Sequence, residues 1–126
     1  MREIIKSVGD TLRGVVNYRF LRWKGKLKYP YFIGELYQDG SGDESGESVY
    51  SFLLTGFYRG EDVIQLYDAA EKIEAAFPED TGYLIECRDG VMLVFWETML
   101  TEIPDTDTEL VKIQITLKVK RWKGKG

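Results

Sequence analysis

The 126-residue sequence contains no histidine. Histidine is the commonest general base and a frequent metal ligand, so catalytic triads and metal sites built on an imidazole are excluded. The single cysteine, Cys87, can form no internal disulfide and cannot supply a zinc site alone. These absences predict a protein that is not an enzyme, holds no cofactor or metal, and is made in a reducing compartment.

Long apolar runs are also missing. The longest, such as Val91–Trp96, are far too short to cross a bilayer, and residues 1–6 lack the apolar core of a signal peptide. With 44% apolar and 30% charged residues, the composition is that of an ordinary globular protein. The length predicts a single domain over residues 1–126. We therefore expect a cytoplasmic protein with no membrane partner.

Basic residues are scarce in the middle of the chain. The net charge is +6 over residues 1–30, −10 over 31–80, −6 over 81–109 and +6 over 110–126, which gives −4 in total. Basic ends and an acidic middle can complement each other between two copies arranged head to tail. They can equally lie side by side within one monomer. The sequence leaves both arrangements open.

Residues 49–78 predict a buried strand followed by an amphipathic helix. Val49–Tyr58 is apolar on both faces, which is typical of a strand inside a sheet. Glu61 and Asp62 are expected in the first helical turn, and Pro78 is expected to end the helix. The predicted apolar stripe of this helix comprises Val63, Leu66, Tyr67, Ala70, Ile73 and Phe77. Its predicted solvent face comprises Asp68, Glu71, Lys72 and Glu74.

The rest of the chain supplies another helix and four more strands. The helix is predicted over Glu3–Val16, while residues 17–29 have no clear period and read as an extended or loop segment. Asp89-Gly90 between apolar runs predicts a type I′ hairpin. The four strands are predicted over Tyr31–Gln38, Tyr83–Arg88, Val91–Glu97 and Val111–Trp122. This order predicts an α+β domain, a single mostly antiparallel sheet with two helices packed on it.

The segment Asp39–Ser48, DGSGDESGES, is the only low-complexity stretch. It has no apolar side chain and is expected to form a mobile hairpin tip. A calcium loop is excluded, because Glu44 and Tyr50 stand where glycine and glutamate are required. A solvated loop and a partner-binding loop both stay open. As a partner-binding loop, its contact residues would be Asp39, Asp43, Glu44 and Glu47.

The pentapeptide Arg-Trp-Lys-Gly-Lys occurs twice, at Arg22–Lys26 and Arg121–Lys125. Cations interleaved with tryptophan can bind single-stranded nucleic acid, or can cover the edge of a neighbouring subunit. The net negative charge favours protein contact over nucleic acid. A small nucleic-acid-binding module that uses both segments is the alternative interpretation. The candidate contact residues are Arg22, Trp23, Lys24, Arg59, Arg121, Trp122 and Lys123.

Three stretches resemble the small tail-assembly proteins of long-tailed phages and prophages: Tyr29–Glu35, Phe52–Gly60 and the acid-rich helix that ends at Phe77-Pro78. The closest class is the tail terminator, also called the tail-completion or head–tail joining protein. The resemblance implies a small α+β protomer that closes into a ring, typically a hexamer. Such a ring caps the tail-tube protein and presents a surface to the head-connector protein.

This class is structural, so the resemblance implies no catalytic residue. It places the protein in the host cytoplasm during assembly and then in the virion, at the tail.

Overall fold

The computed structural model describes residues 1–40, 46–101 and 103–124. The helices of this part are α1 (Arg2–Arg13) and α2 (Ile64–Ala76). The strands are β1 (Tyr18–Phe20), β2 (Tyr31–Gly40), β3 (Glu47–Arg59), β4 (Tyr83–Cys87), β5 (Gly90–Leu100) and β6 (Leu110–Lys123). Neither described helix is long and apolar enough to cross a membrane.

The six strands form one sheet in the order β1-β2-β3-β6-β5-β4. The sheet with its two helices fits the predicted α+β class, but the sheet is mixed rather than mostly antiparallel. The parallel pair is β1 with β2, in which Tyr18 lies opposite Phe32. Sequence analysis missed β1 because three residues are too few to show a strand period.

The centre of the sheet is the pair β3 and β6. They run antiparallel along all of β3, from Glu47 opposite Trp122 to Arg59 opposite Leu110. The prediction that Val49–Tyr58 lies inside the sheet is therefore confirmed. The hairpin predicted between the first two long strands is also confirmed, because β2 and β3 pair antiparallel.

Both helices contribute to one hydrophobic core on one face of the sheet. From α1 come Ile4, Val8 and Leu12, and from α2 come Leu66, Ala69, Ala70 and Ile73. The core residues of β6 are Ile113, Ile115, Leu117 and Val119, all fully buried. This confirms the predicted alternation of β6. On the other face, Lys112 and Lys120 lie over the rings of Phe57 and Phe95, each 5.9 Å from the ring centre.

Two glycines of the resemblance motifs make room for aromatic rings within the core. A Cβ atom on Gly56 would lie 2.4 Å from Cε2 of Phe32, and one on Gly34 would lie 2.7 Å from the Tyr18 ring. Phe32 and Tyr18 are almost completely buried. The recurring aromatic and glycine pattern of these segments therefore reflects packing between β1, β2 and β3.

Several local predictions need correction. Helix α1 ends at Arg13 rather than Val16, and α2 begins at Ile64 with Val63 as N-cap, so Glu61 and Asp62 precede the helix. Helix α2 ends before Pro78, as predicted.

The β4–β5 turn consists of Arg88 and Asp89, because Cys87 pairs with Gly90. Neither turn residue has a positive φ, so the turn is not type I′. Gly90 instead joins the ladder with β6, where a Cβ atom would lie 1.9 Å from the Trp122 carbonyl oxygen.

Candidate partner-contact surfaces

The acidic segment 39–48 is shorter as a loop than predicted, because β2 continues to Gly40 and β3 begins at Glu47. Asp39 lies at an irregularity of the β2–β3 pair and accepts hydrogen bonds from Ser51 Oγ and Lys118 Nζ, both at 2.7 Å. These bonds hold the pKa of Asp39 below its ordinary value. Asp39 is thus bound within its own protomer.

The other three candidates of this segment have different positions. Glu47 is half-buried and lies opposite Trp122 in the β3–β6 pair. Asp43 and Glu44 lie outside the described residues. Their role as partner contacts stays a prediction.

Lys118 joins three strands on the face of the sheet opposite the core. Besides Asp39 in β2, its ammonium group pairs with Glu97 Oε2 of β5 at 3.3 Å. The hydrogen bond to Asp39 and the two carboxylates raise the pKa of Lys118. This lysine therefore keeps its charge over the ordinary pH range and holds β2, β6 and β5 together.

Shortening the segment between β2 and β3 tests the structural role of Asp39. Replacing residues 41–46 by Asn-Gly should change the free energy of unfolding by no more than about 1 kcal/mol, because loop-closure entropy varies slowly with length. Replacing residues 39–48 should destabilise the protein further, since it removes Asp39 and the pairing of Gly40 with Val49. Urea unfolding measures both variants. Equal stabilities would contradict a structural role for Asp39.

The second Arg-Trp-Lys-Gly-Lys segment begins in β6, and its first residue lies in the folded core. Arg121 continues the inward alternation of β6 and is only 8% exposed. Its guanidinium pairs with Glu3 Oε2 of α1 at 3.1 Å and with Asp89 of the β4–β5 turn. Trp122 is half-buried and Lys123 is exposed. We therefore leave Arg121 out of the contact surface.

Arg59 is likewise held within the protomer. It ends β3 and pairs with Asp107 and with Glu109 Oε2, the latter at 3.2 Å. Together with the Lys112–Asp105 pair at 2.9 Å, it fixes the segment before β6. Hydrogen bonding to Arg59 lowers the pKa of Asp107.

The first Arg-Trp-Lys-Gly-Lys segment projects from the sheet. We call residues 21–28, between β1 and β2, the basic arm. Trp23 anchors it: the indole packs 5.0 Å from the Tyr31 ring, Nε1 donates to the Lys26 carbonyl oxygen at 3.2 Å, and the Arg19 guanidinium lies over it at 5.0 Å. The charged residues Arg22, Lys24, Lys26 and Lys28 are all exposed.

A strongly acidic depression lies at the C-terminal end of α2. It measures about 830 Å³ and is lined by Glu71, Glu74, Ala75, Pro78, Glu79 and Asp80. A second depression of about 330 Å³ shares Glu71 and Glu74 and adds Tyr67, Ala70, Trp96 and Met99. We call the two together the acidic groove. Its wall is charged and its inner end is largely apolar.

Sequence analysis placed Glu71 and Glu74 on the solvent face of the helix, and both are exposed. It missed the groove, because Trp96 and Met99 reach it only through the packing of β5 beside α2. The sequence feature that could have indicated the groove is the group of four acids around the end of α2, namely Glu71, Glu74, Glu79 and Asp80.

Three further features of the described residues concern metal binding, thiol reactivity and the remaining depression. No group of three or more cysteine and acidic side chains there is arranged to hold a metal ion. Burial and a hydrogen bond with Glu3 raise the pKa of the Cys87 thiol, which disfavours a reactive thiolate. A depression of about 480 Å³ between α1 and α2 mixes Arg13, Asp68 and Lys72 and so has no preference for one charge sign.

Comparison with solved structures identifies chains of similar fold, one of which is described below. No protein-family model and no curated protein matches the chain. The fold is similar to that of a chain in the solved structure of the virion of a native gene transfer agent (GTA) particle, with a TM-score of 0.63 and 14% sequence identity. The match covers 91% of this chain and 84% of that chain. At this identity the likeness concerns the fold.

Proposed function

We propose that the protein is a structural component of a phage or prophage virion, and specifically a tail terminator or head–tail joining protein. It closes into a ring, caps the tail-tube protein and joins it to the head-connector protein. The observation that carries this proposal is the fold shared with a GTA virion chain over 91% of the protein. The resemblance of Tyr29–Glu35 and Phe52–Gly60 to tail terminators supports the more specific proposal of a role at the junction between tail and head.

The described surface suits a protein that acts by contact. The basic arm and the acidic groove both present exposed charged side chains, and neither contributes to the ion pairs of the described residues. A joining protein needs one surface for its own copies and others for tube and connector. The proposal accordingly assigns no reaction to the protein and places it in the host cytoplasm during assembly and in the virion afterwards.

Deleting the gene from its phage or prophage tests this function. We expect filled heads that are not joined to tails, and tail tubes of irregular length, because nothing ends tube growth. Electron microscopy of lysates measures both, and a plasmid copy of the parent gene should restore joined particles. A plasmid copy with Glu61→Lys, a change at an exposed position away from the groove, serves as control.

Two outcomes would contradict the proposal. One is a normal yield of joined particles from the deletion strain. The other is the absence of the protein from purified virions by mass spectrometry.

A further inference from the structure

We propose that the basic arm of one protomer docks into the acidic groove of a second copy, so that protomers associate head to tail. This inference deepens the proposed function, because it names the contact that would build the ring. It commits to one partner, another copy of this chain. Four properties of the two surfaces favour this contact: their charge, the dipole of α2, their exposed apolar groups and their positions in the sheet.

Among the described residues, the charged side chains of the arm and the groove have no ion-pair partner. Most charged groups around β6 form ion pairs, including Lys112, Lys118 and Arg121. In contrast, the ion pairs of the described residues involve neither the cations of the arm nor the acids of the groove. Two unneutralised surfaces of opposite sign on one chain are complementary between copies.

Helix α2 carries its acids at the unfavourable end. Its last turn contains no basic residue, and Glu74 lies there, beside carbonyl groups that make this end negative. Acids at a helix C-terminus destabilise it, whereas cations stabilise it. Lysines of a docked arm would supply the missing cations. The arm would therefore relieve an unfavourable arrangement of the isolated protomer.

Apolar groups accompany the charges on both surfaces. Leu21 and Leu27 of the arm are 57% and 45% exposed. Leu21 has a φ of 66°, a left-handed conformation that a leucine rarely adopts. Hydrogen bonds from its N–H to Gly34 O and from Arg22 N–H to Phe20 O, both at 2.8 Å, hold the backbone there. The apolar end of the groove offers a complementary surface for such a leucine.

The topology makes this contact intermolecular. The arm connects β1 to β2 at one side of the sheet, while the groove lies beside Trp96 and Met99 of β5. Strands β2 and β5 are three positions apart, about 14 Å at the usual strand spacing. Trp23 holds the arm against Tyr31 of β2, and no residue of the arm lines the groove of its own chain. A contact between two different surfaces is heterologous, and repeating it yields a ring or a filament.

Charge reversal tests this contact. Lys24→Glu/Lys26→Glu places acids in the arm, and Glu71→Lys/Glu74→Lys places bases in the groove. Each variant alone should self-associate about tenfold more weakly than the parent, by sedimentation velocity at low salt. An equimolar mixture of the two should recover association, since each arm then meets a groove of opposite charge. Glu61→Lys/Asp62→Lys is the control, with the same charge change outside the groove.

Carbodiimide cross-linking gives a second readout that captures weak association. The parent, mixed as isotopically heavy and light protein, should yield amide links between Lys24 or Lys26 of one isotope and Glu71 or Glu74 of the other. Circular dichroism establishes that each variant is folded. Folded variants that associate as the parent does, a mixture that does not recover, or the absence of heavy–light links would each overturn the inference.

These outcomes are distinguishable from failure of the proposed function. Heavy–light links together with normal particles from the deletion strain would leave the contact standing and refute the role at the tail. Unjoined heads from the deletion strain, together with an absence of heavy–light links, would support the role at the tail and refute the contact.

Discussion

Gly56→Ala should destabilise the protein by about 3 kcal/mol, because the added methyl group overpacks the core. The new Cβ atom would lie 2.4 Å from Phe32 Cε2 and 3.1 Å from Ile113 Cγ1. Both neighbours are fully buried, so neither can move without disturbing the core. Urea unfolding of parent and variant measures the loss as a shift of the midpoint at constant slope.

Two further variants make this prediction specific. Phe32→Leu in the Gly56→Ala background should be more stable than the sum of the two single changes predicts, because the smaller side chain frees the space that the methyl group needs. Gly14→Ala is the control: φ is −74°, a helical value, and we expect a change within about 0.5 kcal/mol. A Gly56→Ala variant as stable as the parent would mean that Phe32 does not pack over this glycine.

Arg121→Met is expected to destabilise the protein by about 2 kcal/mol. The substitution leaves Glu3 and Asp89 without their shared cation and separates α1 from the β4–β5 turn. The loss should stay below that of a fully buried ion pair, because both carboxylates reach solvent. Arg13→Met provides the matched control, since Arg13 and Asp10 form an exposed pair within α1.

The effect of Arg121→Met should also depend on pH. Hydrogen bonding to Arg121 lowers the pKa of Asp89 in the folded protein. A carboxyl group with a lowered pKa stabilises the fold above its unfolded pKa, about 3.9, and loses that contribution as the pH falls through the folded value. The difference in unfolding free energy between parent and variant should therefore shrink below about pH 4. A difference independent of pH would show that Arg121 acts through packing alone.

The fold was predictable wherever a residue pattern extends over many positions. The alternation of β6 and the two apolar faces of β3 each involve ten or more residues, and both strands appear as expected. Strand β1 depends instead on a pairing with residues fourteen positions away, so no local pattern reveals it. The hairpin predicted around Asp89-Gly90 is confirmed by the antiparallel pair β4–β5, but its turn is Arg88-Asp89, because Gly90 pairs with Cys87 in β4 and with Lys123 in β6.

The contact surfaces were predictable only in part. The two Arg-Trp-Lys-Gly-Lys segments are identical in sequence, yet Arg22 is exposed and Arg121 is buried. Extending the alternation of β6 by two residues beyond Val119 would have placed Arg121 in the interior. The arm has no such period, and the apolar end of the groove combines α2 with β5 through tertiary packing.

The position of β6 has a consequence for biosynthesis. This strand follows all the others along the chain, yet it lies between β3 and β5 in the sheet. In a nascent chain that lacks residues 110–123, β1–β3 and β4–β5 cannot pair into one sheet, because β6 lies between them. Strands β3 and β5 then each have an unpaired edge. Folding therefore waits until translation has passed β6, and pairing across such long sequence separations is slow. We expect truncated products that end before residue 110 to expose both strand edges and to aggregate more readily than the full chain.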